Sequence, residues 1–181
     1  MTLVEFVNLK LGVLTVVAQI IILLSVVYFL FFRKQYPFIK NFVSKYGILF
    51  AFLVALTATS GSLFYSEIAG YQPCVLCWYQ RIFMYPEVIL LGMALWKKDK
   101  SIVNYSIALS SIGALIAAYH YLLQIGVVSG VACGVVGYSV SCAKVFVLVF
   151  GYIGLPLMAL TAFLLIITSL IFTKLKNKNN E

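Results

Sequence analysis

Two thiols and a guanidinium fall close together in the stretch Pro73 to Pro86, which reads PCVLCWYQRIFMYP. Cys74 and Cys77 are three residues apart, Arg81 follows four residues later, and Trp78, Tyr79, Phe83 and Tyr85 are interleaved with them. Pro73 suits the first turn of a helix, where its missing N–H costs nothing, and this places both cysteines in the first turns. Unpaired backbone N–H groups at such a terminus favour thiolate over thiol, and the thiolate is the form that attacks disulfides. Arg81 shares a helix face with Cys77, about 6 Å deeper at ~1.5 Å per residue, so its charge favours a thiolate and offers hydrogen bonds to a polar head group. An arginine inside an apolar segment is costly and needs a partner or a task; snorkelling to the interface is the plain alternative. The flat aromatic side chains around it would suit the ring of a lipid-soluble quinone.

The elements that must position this stretch are membrane helices. Only 10% of the 181 residues are charged and the mean hydropathy is +1.07, a balance that few soluble folds could carry. The net charge of +8 is spread over short clusters between long apolar runs, which is the pattern of topology signals and not of a nucleic-acid surface. Five apolar segments are expected to be helical: Leu11 to Phe32, Gly47 to Ser66, Trp78 to Trp96, Ser101 to Leu123, and Val145 to about Phe172. The first covers about 33 Å at ~1.5 Å per residue, too long for the apolar region of a signal peptide. The fifth is long enough to require tilting, a kink at Pro156, or a start in the interface. The small polar run Thr57 to Ser62 reads as a packing face. Glu87 falls deep in the third segment, where a carboxyl must be protonated or paired; Asn104 and Tyr105 are possible partners.

Counting basic residues orients the chain. Arg33, Lys34, Lys40 and Lys45 follow the first segment, Lys97, Lys98 and Lys100 the third, and Lys174, Lys176 and Lys178 the fifth, whereas the other side holds only Lys10 and Lys144. The positive-inside rule then puts the N-terminus outside and the C-terminus in the cytoplasm. Cys74 and Cys77 precede the third segment, Cys133 and Cys142 lie between the fourth and fifth, and so all four thiols face the extracytoplasmic side. Disulfides persist in that compartment. A structural zinc site is disfavoured because the second pair encloses Gly134 to Ser141 and has no knuckle spacing, so no metal is expected. Two inert staples are also disfavoured, because Cys-x-x-Cys is a tight redox loop and a poor way to tie helices together.

This stretch resembles the signature of the DsbB family of membrane disulfide-bond formation proteins, in particular its BdbC branch. Further similarity lies in Leu63 to Glu67, in Tyr119-His120-Tyr121 and in Gly151 to Pro156, and it spans about Tyr46 to Phe172. The resemblance implies a four-helix transmembrane bundle over 46–173; with the apolar segment and basic linker over 1–45 as an extra N-terminal transmembrane helix, and a basic tail over 174–181, the expected fold is an all-α polytopic membrane protein. The resemblance also implies a disulfide:quinone oxidoreductase of the bacterial cell membrane. Its partner would be a DsbA-like thioredoxin-fold protein, its acceptor a membrane quinone (ubiquinone or menaquinone), with no nucleic acid involved. In that scheme Cys133 is attacked by the reduced partner, Cys142 exchanges with Cys74, and Cys77 is the thiolate facing the quinone, with Arg81 binding it. His120 and Glu67 are expected near the quinone as proton carriers.

The chain departs from the family pattern in its first helix and in the short, apolar loop from Gln124 to Lys144. Two other readings bear weighing. A vitamin K epoxide reductase-like enzyme would carry its loop pair before the Cys-x-x-Cys, whereas here Cys74 and Cys77 come first. A non-enzymatic scaffold stapled by disulfides would keep its cysteines permanently oxidised.

Overall fold

The computed structural model describes residues 2–32, 37–99, 101–128 and 141–177. The described chain is all-α, with α1 (Leu3–Val27), α2 (Pro37–Leu63), α3 (Val75–Lys97), α4 (Ile102–Gln124) and α5 (Leu155–Asn177). Single π-helical turns, Tyr28–Phe32 and Phe64–Ile68, extend α1 and α2. Four stretches, Leu3–Val27, Tyr46–Ile68, Ile102–Gln124 and Leu155–Lys174, are long and apolar enough to cross a membrane. The protein is therefore a multi-pass membrane protein. The third expected segment forms α3 but is not among the four, its apolar run being broken by Gln80, Arg81, Pro86 and Glu87. Of the basic residues that orient the chain, Arg33, Lys34, Lys100 and Lys178 lie outside the described residues.

α2 starts at Pro37, ahead of the expected Gly47, and local chemistry moves two further helix starts. α1 begins at Leu3 and not Leu11, because Thr2 and Glu5 form a reciprocal cap: the Glu5 N–H donates to Thr2 Oγ1 at 3.2 Å and the Thr2 N–H donates to Glu5 Oε2 at 2.8 Å. α5 begins at Leu155 and not Val145. Phe150 and Gly151 both take positive φ, 53° and 78°, and the antiparallel bridge between Val149 and Ile153 closes a tight turn there. Pro156 then falls in the first turn of α5, where it needs no hydrogen bond, so no overlong helix has to tilt or kink.

Around the core, α2 packs on α3, α3 on α4, α4 on α5, and α5 back on α2, while α1 lies outside this ring against α5. Close approach rests on missing side chains: Gly113 of α4 abuts the Phe163 ring, and a Cβ on Gly47 of α2 would lie 2.8 Å from the Ser169 carbonyl of α5. Leu91, Phe163, Ile166 and Leu170 fill the centre completely. Outward faces carry exposed apolar side chains such as Leu23, Leu24, Ile89 and Leu115, a surface made for lipid. Polar side chains turn inward instead. Glu87 is fully buried, and its Oε1 accepts a hydrogen bond from the Ser110 hydroxyl at 2.9 Å. The partner is thus neither Asn104 nor Tyr105, both of which are exposed: α4 presents Val103, Ser106, Ser110, Gly113, Ala117 and His120 to the interior, and helical rotation carries residues 104 and 105 away from it.

Candidate functional site

The Cys-x-x-Cys pair sits at the N-terminus of α3, reached from α2 through a turn in which Gly70 takes a φ of 69°. Cys74 is the N-cap residue, so Pro73 stands just before the helix and not in its first turn. The sulfur does what a serine hydroxyl does at such a position: Cys74 Sγ accepts the backbone N–H of Cys77 at 3.3 Å. Cys77, one turn in, has its sulfur 2.8 Å from that of Cys74. Both are free thiols.

Three donors converge on Cys74. Besides the N–H and thiol of Cys77, His120 Nε2 lies 3.7 Å away. The same Nε2 is 3.1 Å from the carbonyl oxygen of Cys142, and Nδ1 is 2.8 Å from Gln80 Nε2. A carbonyl only accepts, so the neutral ring carries its proton on Nε2 and Nδ1 accepts from the Gln80 amide. The Cys74 thiol is consequently pulled well below its ordinary value: the hydrogen bond from the Cys77 thiol contributes most, burial opposes it, and His120 and the backbone N–H of Cys77 add to the lowering. The donor atoms of Cys74, Cys77 and His120 lie within 4.8 Å of one another, a set that could close on a soft metal ion. The single Nε2 proton lies between the Cys142 carbonyl at 3.1 Å and Cys74 Sγ at 3.7 Å, so the ring acts here as a donor shared by the two and not as a free ligand nitrogen.

Cys142 is buried beside them, in one apolar cluster with Cys74, Leu76 and Leu123. It is disulfide-bonded, and not to Cys74 or Cys77, which are free. Its expected mate in the loop pair, Cys133, lies outside the described residues. Cys74, Cys77, His120 and Cys142 line a cleft of about 20 Å³.

Cys77 faces a second space as well. It lines, with Gln80 and Arg81, an apolar cavity of about 410 Å³ bounded by α1, α2, α3 and α5. Arg81 is half-buried and tied to α2: Nε donates to Ser62 Oγ at 2.9 Å and Nη2 to the Ser62 carbonyl at 3.0 Å, while its guanidinium lies 5.2 Å from the Trp78 ring centre. An aromatic column of Tyr65, Tyr71 and Phe146, with ring centres 5.8 and 5.0 Å apart, stands at the same end. Glu67 is not brought to the site; it is exposed on the π-helical turn and lines neither space. Sequence reading missed Gln80 and Ser62. Gln80 could have been found as an amide one helical turn from Cys77 in an apolar helix, whereas the Ser62 contact needed the α2–α3 packing.

Residues 44–173 match the family described as "Disulfide bond formation protein DsbB". The chain belongs to the DsbB family. It is a DsbB-family disulfide bond formation membrane protein. Among its relatives, "Probable disulfide formation protein C 1" of Bacillus cereus is 46% identical over 74% of this chain and 95% of the relative. "SPbeta prophage-derived disulfide bond formation protein B" of Bacillus subtilis is 44% identical over 80% and 95%. "Disulfide bond formation protein C" of Bacillus subtilis is 45% identical over 65% and 84%. No solved structure matches the chain. The DsbB match begins beyond α1, so the cleft lies wholly within the family region while the large cavity extends past it.

Proposed function

We propose that this protein is a disulfide:quinone oxidoreductase that reoxidises a DsbA-like thioredoxin-fold partner and passes the electrons to a membrane quinone, ubiquinone or menaquinone. The observation that carries the reading is the position of Cys77, which lines both the thiol cleft and the apolar cavity. The catalytic thiols in this proposal are Cys74, Cys77, Cys133 and Cys142, with Arg81 at the quinone and His120 as the proton-holding neighbour of Cys74. Glu67 is left without a role, since it faces away from both spaces.

The chemistry runs as two exchanges of an electron pair. The partner dithiol attacks the Cys133–Cys142 disulfide, which leaves the partner oxidised and the loop pair reduced. Cys142 then attacks Cys74 of a Cys74–Cys77 disulfide, the state that these two thiols hold after oxidation by the acceptor; the Cys133–Cys142 bond re-forms, and the electron pair and two protons end on the dithiol of Cys74 and Cys77. His120 Nε2–H stabilises the Cys74 thiolate as it leaves or attacks, and Gln80 holds the ring in the tautomer that can do so. Cys77 presents its sulfur to the cavity, and Arg81, braced on Ser62, supplies positive charge at the wall beside it. The cavity fits such a ligand: its lining is mostly apolar, with hydroxyls such as Thr15, Thr57 and Thr161 along it, and its charged and amide groups are Gln72, Gln80 and Arg81. A quinone supplies there a two-electron, two-proton acceptor.

In this reading α3 is a fifth crossing, its polar side chains covered by α2 and α4, with α1 an addition to a four-helix core over 46–173. The N-terminus and the thiols face outward and the basic tail over 174–181 lies in the cytoplasm. The deciding experiment is quinone reduction, followed by absorbance, by purified protein given a reduced DsbA-like partner. Turnover by the native chain and its loss in both Cys77→Ser and Cys133→Ser is expected. A native chain that consumes no quinone with that partner or with dithiothreitol would leave the stapled-scaffold reading in its place.

A further inference from the structure

One wall of the large cavity comes from α1, a helix that lies outside the family match beginning at residue 44. Leu11, Leu14, Thr15, Ala18 and Ile21 line it, at the spacing of three and four residues that gathers side chains on one helix face. The helix is held in place by polar contacts along its length. Tyr65 donates its hydroxyl to Asn8 Oδ1 at 2.8 Å, Tyr152 donates to Gln19 Oε1 at 3.2 Å, and Gln19 Nε2 donates to Thr161 Oγ1 at 3.5 Å. Thr15 is buried and gives its hydroxyl to the Leu11 carbonyl at 2.8 Å, so the face turned to the cavity asks for no polar partner. A Cβ on Gly61 of α2 would lie 3.3 Å from Leu11 Cδ1, so α1 and α2 nearly touch there.

The shape specifies what this wall would hold. Along α2 and the π-helical turn that extends it, the lining runs from Phe50 to Tyr65, about 22 Å at ~1.5 Å per residue. The charged and amide groups, Gln72, Gln80 and Arg81, all gather at the Cys77 end. That is the outline of a polar ring followed by a hydrocarbon chain. Resting on the quinone reading above, we propose that α1 is the wall that holds the isoprenoid tail of the quinone, and that Ala18 and Ile21 set how much tail the cavity accepts. A four-helix core alone would leave this side of the tail in the lipid.

The test measures binding and not turnover. Dissociation constants of a decyl-tailed benzoquinone and of its tailless methyl counterpart are taken by calorimetry on the full chain, oxidised and in detergent micelles. The native chain is expected to bind the tailed compound at least about tenfold more tightly than the tailless one. Ala18→Trp and Ile21→Trp should each lose that tail-dependent gain while keeping the tailless affinity, which also reports that they are folded. Val13→Trp, on an exposed position of α1 that does not line the cavity, should keep the gain. Full retention of the gain in both cavity variants, or equal loss in Val13→Trp, overturns the assignment. A native chain that binds the two compounds equally and retains phosphatidylcholine through purification marks a lipid groove, and overturns it too. Failure to bind either compound removes the quinone reading itself.

Discussion

On one side of Cys77 the chain encloses a cleft of about 20 Å³ walled by thiols, an imidazole and a carbonyl; on the other it opens a cavity of about 410 Å³ walled by hydrocarbon, with one guanidinium at its end. On the proposed function, the contrast matches what each exchange needs. A disulfide exchange moves a bond between sulfurs already in contact, so it needs donors that stabilise a thiolate and hardly any room. Delivery to a lipid-soluble acceptor needs volume, an apolar lining, and positive charge where electron density accumulates. A single helical turn satisfies both because Cys74, as N-cap, looks back towards α4 and the loop, whereas Cys77, one turn in, also looks towards α2 and α1.

The largest expected effect comes from removing the shared boundary. Cys77→Ser and Cys74→Ser should each lower turnover about 10³-fold or more, since each breaks the only covalent route. They should differ in what accumulates. With Cys77 absent, the Cys74 thiolate can attack Cys142 of the loop disulfide and release the Cys133 thiol with nothing to resolve the new bond, so non-reducing peptide mapping of the protein before any reduced partner is added should find Cys74 joined to Cys142. Cys74→Ser should leave no such adduct. Identical maps for the two variants would break the division of labour between the two sulfurs.

Arg81→Met tests the cavity alone. Loss of a charge and its hydrogen bonds to a ligand corresponds to about 2 kcal/mol, or about thirtyfold in kcat/KM for quinone. Exchange between the partner and the cysteines, measured in a single turnover without quinone, should proceed as before. Arg81→Lys should recover little, because the bidentate brace on Ser62 requires both Nε and Nη2.

His120→Ala tests the cleft alone, and the effect is one of pH. The Cys74 thiol is pulled below its ordinary value by Cys77 and His120, so the thiolate exists above that lowered pKa and is lost as pH falls through it. Removing the Nε2–H donor should move the thiolate midpoint of the reduced protein upward, read as ultraviolet thiolate absorbance against pH. Gln80→Ala should move it the same way by less, since the ring keeps its proton but loses its orienting bond. A midpoint that stays put in His120→Ala would remove the imidazole from the thiol chemistry.

These particular residues also show how much the sequence could tell. Cys74, Cys77 and Arg81 were legible because their relation is local: three and four residues on one helix fix their distances whatever the rest of the chain does. The all-α membrane fold was legible from apolar run lengths, while helix starts fell elsewhere at Thr2, at Phe150-Gly151, and at Pro37, from which α2 runs ten residues ahead of its apolar segment. His120 was expected near the quinone through family resemblance, but it lines the thiol cleft and not the large cavity; its hydrogen bonds to Gln80 and the Cys142 carbonyl are long-range facts of packing that no spacing encodes. Glu67 was misplaced for the opposite reason. Last of the matching run Leu63 to Glu67, it lies exposed on the π-helical turn Phe64–Ile68.

The smallest expected effect on catalysis lies where polar burial belongs to neither space. Glu87 and Ser110 meet between α3 and α4, and among the described residues Glu87 Oε2 and the Ser106 hydroxyl are buried without a hydrogen-bond partner. Neither Glu87 nor Ser110 lines the cleft or the cavity. Ser110→Ala removes the one hydrogen bond that the carboxyl accepts here and should lower stability by about 1–3 kcal/mol, read as a fall in the thermal midpoint. Both half-reactions should stay within about twofold of the native chain. A selective fall in quinone reduction would instead connect this carboxyl to the cavity, and the two-compartment division would have to admit a third member, one that supplies protons from the middle of the bundle.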